Sequence, residues 1–159
     1  MKCYDDFWLE DDMENMGYLF EYCDKFAKEL YDFQSKLDKK KLLTAFMNSR
    51  FRKEMEEGHP RFLSQAAEDS FEMWVNVDYN KDLSQFVLKG KEESYAFQQW
   101  YWVGWMYAFI HFQSKKSSKF IVKRMPIDFM LQSYVTGHQI DEYSFYDKAK
   151  WKLEGVNER

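Results

Sequence analysis

The chain has 159 residues, a net charge of −4 and a pI near 5.5, with 45% hydrophobic, 31% charged and 20% aromatic residues. That length matches one domain with one core, able to fold without a metal or disulfide staple. The composition excludes wholesale disorder, and the mild acidity excludes sequence-independent nucleic-acid binding, which needs a basic footprint.

Residues 1–16 carry Asp5, Asp6, Glu10, Asp11, Asp12 and Glu14 around Phe7, Trp8 and Leu9. They read as an acidic N-terminal arm, without the apolar stretch of a signal peptide. Cys3 and Cys23, the only cysteines, fall in no CxxC pair and fit free thiols in a reducing cytoplasm. From Gly17 the spacing turns helical. Leu19, Tyr22, Cys23, Phe26, Ala27, Leu30, Phe33 and Leu37 recur at three- and four-residue steps, one apolar stripe of a helix. The Lys39-Lys40-Lys41 run breaks it. Leu42, Leu43, Phe46 and Met47 begin a second helix, and Asn48-Ser49 caps a short third one over Phe51 and Met55, which stops at Gly58-His59-Pro60.

One further helix is predicted over 62–77, through Phe62, Leu63, Ala66, Ala67, Phe71, Trp74 and Val75. Residues 78–92 hold either a helical turn with a loop or a short strand at 85–88. Between 94 and 113 the apolar side chains cover nearly the whole helical circumference, the mark of a central buried helix. Its longest apolar run, Trp100–Phe112, is interrupted by His111 and too short to span a bilayer. Gly104 and Ala108, one turn apart, would let another helix cross closely. After a loop at 114–118, Ser117 or Ser118 caps a helix through Met125, and Pro126 opens the next, which ends at Gly137. Asp141 caps a last helix through Leu153, and the tail from 155 to 159 reads as frayed. The expected fold is all-α: a single-domain bundle of about six to eight helices, spanning 17–154, around the 94–113 helix.

No catalytic motif is present: no P-loop, GxGxxG, GxSxG, HExxH or Cys–His pair at a known spacing. His59, His111 and His138 are far apart, so neither a metal site nor a cofactor is expected. His111, on the buried helix with Tyr107 one turn back, needs a hydrogen-bond partner or else serves as a general acid–base in a cleft. Glu54, Glu56 and Glu57 oppose the dipole of the helix they end, which suggests an ion-pair partner, a ligand or plain solvation. Charge is segregated. Residues 1–24 hold eight acids against Lys2, and 111–124 hold Lys115, Lys116, Lys119, Lys123 and Arg124 with no acid. The basic run either complements a helix C-terminus or forms, with Ser117, Ser118 and Lys119, a small anion site that Tyr107, His111 and His138 complete. The acidic arm, through Asp5, Asp6, Trp8, Asp11 and Asp12, is the candidate surface for a basic protein partner. Surplus aromatics at Trp8, Trp100, Tyr101, Trp105, Tyr143, Tyr146 and Trp151 are further candidates.

The stretch from Tyr101 to His138 resembles small helical proteins encoded in bacterial toxin–antitoxin-like neighbourhoods, near ADP-ribosyltransferase-like toxins. The likeness rests on Tyr101-Trp102, Gly104, Tyr107, His111-Phe112, Ser117-Ser118-Lys119, Ile121, Met130, Tyr134 and His138, with Phe46-Met47-Asn48-Ser49 as a second point. Ala108 stands where the pattern has a basic residue, and the acidic N-terminal extension lies outside it. The resemblance implies an accessory or antitoxin-like binding role and assigns no catalytic residue. The leading expectation is thus a cytoplasmic protein-interaction module, an inhibitory partner of a bacterial effector. The alternatives are a small-ligand or phosphate-binding protein with enzymatic capacity, and an acidic phage-type inhibitor that mimics nucleic acid.

Overall fold

A computed structural model describes residues 3–91 and 94–155. Lys2, Glu92 and the last four residues of the tail read as frayed therefore lie outside the described residues. Among those described, the chain forms nine α-helices and no strand. They are α1 (Leu9–Tyr31), α2 (Lys39–Met47), α3 (Arg50–Glu56), α4 (Pro60–Leu63), α5 (Ala67–Tyr79), α6 (Phe97–Ser114), α7 (Ser118–Arg124), α8 (Ile127–Gly137) and α9 (Glu142–Ala149). Short 3-10 turns cover Asp6–Trp8, Ser84–Phe86 and Lys150–Lys152. The all-α bundle expected from periodicity is the observed architecture, with one helix more than the upper expectation. None of these helices is long and apolar enough to cross a membrane.

The apolar stripe predicted from Gly17 starts earlier and stops earlier. Leu9, Met13 and Met16 continue it backwards, so residues 9–16 form the opening turns of α1. Its end lies at Tyr31, where Asp32 takes a left-handed conformation at φ 51°. There Phe33 N–H donates to Ala27 O and Asp32 N–H to Lys28 O, the paired bonds that close a helix C-terminus. The lysine run then opens α2, because the Asp38 side chain accepts from Lys41 N–H as its cap. Ser49, Ser117 and Asp141 cap α3, α7 and α9 in the same way. The helix predicted over 62–77 is two: α4 ends at Leu63 with Ser64 as its cap, and the chain restarts at Ala67 after an extended Ala66. Residues 84–86 turn, and Val87 makes one isolated antiparallel bridge to Leu37.

The centre of the molecule is α1 packed antiparallel along α6. Gly104 permits the approach: a Cβ there would sit 2.2 Å from Met16 O and 2.8 Å from the Phe20 ring. Gly17 makes the reciprocal allowance for the Tyr101 ring. α6 is buried from Trp100 to His111 except at Tyr101 and Trp105, which are half-exposed. α5 closes on α1, while α7, α8 and α9 close on α6. Aromatic edges and faces fill the space between. Trp74 meets Phe46, Phe71 and Tyr79, and Trp102 meets Tyr134 and Phe145.

Candidate functional site

Near the N-terminus of α1 and the C-terminus of α6, five charged or polar side chains are almost wholly buried together: Asp12, Arg52, Glu56, His111 and Ser118. Four elements deliver them. Asp12 lies on the inward stripe of α1, and Arg52 and Glu56 lie one turn apart on α3. His111 comes from the last turns of α6, and Ser118 is the first residue of α7. Isolated charges at such a place would cost several kcal/mol each. Here each of the five has at least one hydrogen-bonded or ion-paired partner within the network.

Arg52 forms a two-pronged pair with Asp12, Nη1 to Oδ1 at 2.6 Å and Nη2 to Oδ2 at 2.9 Å. Its Nε donates to Ser118 Oγ at 3.1 Å, and Tyr4 OH donates to Asp12 Oδ2 at 2.6 Å. Burial opposes the ionised form of Asp12, but the Arg52 charge and the bonds from Arg52 and Tyr4 outweigh it and hold the carboxyl below its usual range. Burial, reinforced by the Asp12 charge, pushes the Tyr4 hydroxyl far up, so it stays a donor. Glu56 accepts from Ser118 N–H at 2.9 Å and 3.1 Å and from Ser118 Oγ at 3.2 Å. Its Oε2 also lies 2.6 Å from His111 Nδ1.

His111 has defined roles at both nitrogens. Nδ1 faces only acceptors, Glu56 Oε2 and Lys116 O, each at 2.6 Å, so Nδ1 carries a proton. Nε2 faces Cys3 Sγ at 3.5 Å. Burial alone would lower the imidazole's proton affinity. The bonds to Cys3 and Glu56 and the Glu56 charge reverse that and raise its pKa from 6.5 to about 9. Tyr4 packs edge-on against the His111 ring and stacks on Phe112. Cys3 is half-exposed at the rim of this network, whereas Cys23 is buried and its thiol is pushed up to about 12 by burial.

A cleft of about 810 Å³ opens beside Glu56, between α3 and the start of α7. Its lining mixes Arg50, Lys53 and Lys119 with Glu54, Glu56 and Glu57, together with His59 and Ser117. Glu54 pairs with Arg50 at 3.4 Å. With as many acids as bases, the cleft has no strong field of either sign.

The other distinctive surface is the outer side of α1 and the turn before it. Asp5, Asp6, Phe7, Glu10, Asp11, Glu14 and Tyr18 are exposed there. Phe7 is 75% exposed and meets half-buried Trp8 edge-on. Tyr18, 44% exposed, stacks on Tyr22 and meets Tyr101 edge-on. Burial and then the neighbouring Tyr18, Glu14 and Glu21 raise the Tyr101 hydroxyl's pKa. This acidic surface does not continue across α3, where Glu56 points inward and Glu54 is ion-paired.

The structure thus separates the residues singled out from sequence. Asp5, Asp6 and Asp11 lie on the outer surface and Trp8 is half-buried against the core, while Asp12 is inside with Arg52, because one helical step turns a side chain by about 100°. His111 and Ser118 meet in the buried network. Ser117 and Lys119 line the cleft. Tyr107 joins neither, donating to Met125 O at 2.6 Å in the core. His138 ends α8 on the surface, stacked on Tyr134 and bonded to its carbonyl. Among the described residues no group of three or more His, Cys, Asp or Glu side chains could hold a metal. Arg52, Tyr4 and Cys3 went unremarked as polar partners in the sequence, and Glu56 was only one of three equivalent glutamates. The available signal was the four-residue spacing of Arg52 and Glu56, which puts both on the same side of the short helix as the apolar Phe51 and Met55. No protein family, curated protein sequence or solved structure matches the chain.

Proposed function

We propose that the chain is a protein-interaction module that docks a basic partner on the outer side of α1 and the turn before it. The observation that supports this reading is Phe7, a large ring left 75% exposed and framed by Asp5, Asp6, Glu10 and Asp11. Exposed aromatics with a charged rim are the composition of an interaction hot spot, and acids around them select a basic surface. An antitoxin-like, inhibitory role toward a bacterial effector is the finer form of the same proposal. It draws on the resemblance of Tyr101–His138 and on the acidic surface together. The two alternatives have less support. The mixed lining of the cleft gives a phosphate little attraction, and the break at α3 shortens any nucleic-acid-like stripe.

The test is co-expression with neighbouring genes, followed by affinity capture with the wild-type chain and with Phe7→Ala. One stoichiometric partner with a basic surface is expected on the wild type. Its affinity should fall about 30-fold or more on Phe7→Ala, the loss typical of a central aromatic anchor. An empty capture, or a partner that binds both proteins equally, removes the reading.

A further inference from the structure

The buried network carries an arrangement that docking on α1 does not use. We propose that Cys3, His111 and Glu56 form a thiol–imidazole–carboxylate relay that makes Cys3 a reactive site for small disulfides, taken up by thiol–disulfide exchange.

The geometry has the three parts that activate a nucleophile: the nucleophile, a base within reach, and a third group that orients the base. Sγ lies 3.5 Å from His111 Nε2. On the far side of the ring, Nδ1–H is fixed by Glu56 Oε2 and Lys116 O, which leaves Nε2 aimed at the sulfur. Glu56 is itself held by the Ser118 backbone and hydroxyl, so the ring cannot swing away without breaking a buried carboxylate's bonds. Tyr4 fixes the other end of the short N-terminal segment, its N–H on Glu56 O and its hydroxyl on Asp12. The raised proton affinity of His111 suits a ring that holds the sulfur's proton during attack. Cys3 is half-exposed, so a small reagent can reach it.

The exchange balances with these groups alone. The Cys3 proton rests on His111 Nε2 while Sγ attacks one sulfur of the incoming disulfide. A new S–S bond forms as the old one breaks, and its electron pair leaves on the departing sulfur. That sulfur takes the proton from Nε2 and departs as a free thiol. Cys3 is oxidised to a mixed disulfide and half of the incoming molecule is reduced. Acyl transfer from the same thiol would need donors for an oxyanion beside Sγ, whereas exchange needs none.

The probe is oxidised glutathione on the full chain at neutral pH, with site-resolved mass spectrometry following both cysteines. In the native protein Cys3 should form the mixed disulfide about threefold or more faster than the same residue in the urea-unfolded chain at equal pH and urea-corrected reagent activity, while Cys23 stays unmodified. Shielding alone can only slow a native thiol, so a native rate at or below the unfolded one overturns the proposal. In His111→Gln, if folded by circular dichroism, the Cys3 rate should drop to the unfolded value, and an undiminished rate overturns the relay. If His111→Gln does not fold, the native-to-unfolded ratio of the wild type decides alone.

Discussion

The two sides of α1 carry the same kinds of residue and put them to opposite uses. Asp11 and Asp12 are adjacent in sequence, yet Asp11 is exposed beside Phe7 and Glu14 while Asp12 is fully buried against Arg52. On the outer side the carboxylates are solvated, and their collective field can steer a partner at no cost to the fold. On the inner side a carboxylate is tolerated only because two guanidinium bonds and a tyrosine hydroxyl replace its water. The acidity of the first two dozen residues is therefore two properties, one of the surface and one of the core.

The sharpest way to break this comparison is to remove each aspartate in turn. Asp12→Ala leaves Arg52 buried and unpaired, and should cost about 3–5 kcal/mol in unfolding free energy. Asp11→Ala should stay within about 0.5 kcal/mol of wild type, as surface substitutions do. Urea titrations of both variants check the pair. Equal losses would mean that the two sides are not distinct.

Titration tests the inner side without mutation. His111 has its folded pKa raised to about 9 from 6.5, so it binds a proton more tightly in the native state. Its contribution is fully present below about 6.5 and is lost as pH rises through 9, up to about 3 kcal/mol by linkage. Asp12 has the opposite sign. Its folded pKa is depressed, so its contribution is present above the ordinary carboxylate range and is lost as pH falls through the folded value. Urea midpoints between pH 6 and 9.5 should fall for the wild type and stay flatter for His111→Gln. Equal slopes in the two proteins would remove His111 from the account.

Periodicity revealed the bundle because helix faces are local. The stripe over Leu19, Cys23, Phe26 and Ala27 and the all-round apolar 94–113 segment needed only neighbours within one turn. Capping was equally local at Ser49 and Asp141. Boundaries were less legible where one residue's backbone decides. Asp32 in the left-handed region ends α1 short of Phe33 and Leu37, though both remain apolar and spaced as if the helix continued. The buried network was hidden for a different reason. Asp12 pairs across to Arg52, Glu56 to Ser118 and His111 to Cys3, and none of these partners is near the other in sequence. A charge on an apolar stripe, as Asp12 is once Met13 and Met16 are read as part of α1, is the one local sign that a partner must exist.

Gly104 links the readable and unreadable parts, since its small size was legible and its neighbour was not. In an exposed helix Gly→Ala gains about 1 kcal/mol from propensity. Here the added Cβ meets the Met16 carbonyl, a backbone atom that moves only if α1 moves. Gly104→Ala should therefore destabilise by about 2 kcal/mol, measured by denaturation, because forcing α1 from α6 overpacks the core. A stabilised variant would show that the two helices part freely, and with them the two sides of α1.

The smallest effect on stability should fall on the outer side, where the proposed docking puts the consequence in binding. Asp11→Lys with Glu14→Lys reverses two solvated charges and should change unfolding free energy by less than about 1 kcal/mol. If a basic partner approaches this surface, the same double variant weakens long-range attraction without touching the Phe7 anchor. Association should then slow by about tenfold or more at low salt, with dissociation little changed. Phe7→Ala should do the reverse, hastening dissociation and leaving association nearly intact. Stopped-flow or surface-based kinetics at two salt concentrations separates the cases, since only the charge effect fades as the Debye length shortens. If both variants altered the same rate by the same factor at both salts, the acids and the aromatic ring would not be working as a charged rim and an apolar anchor, and the outer side of α1 would lose its claim as a docking surface.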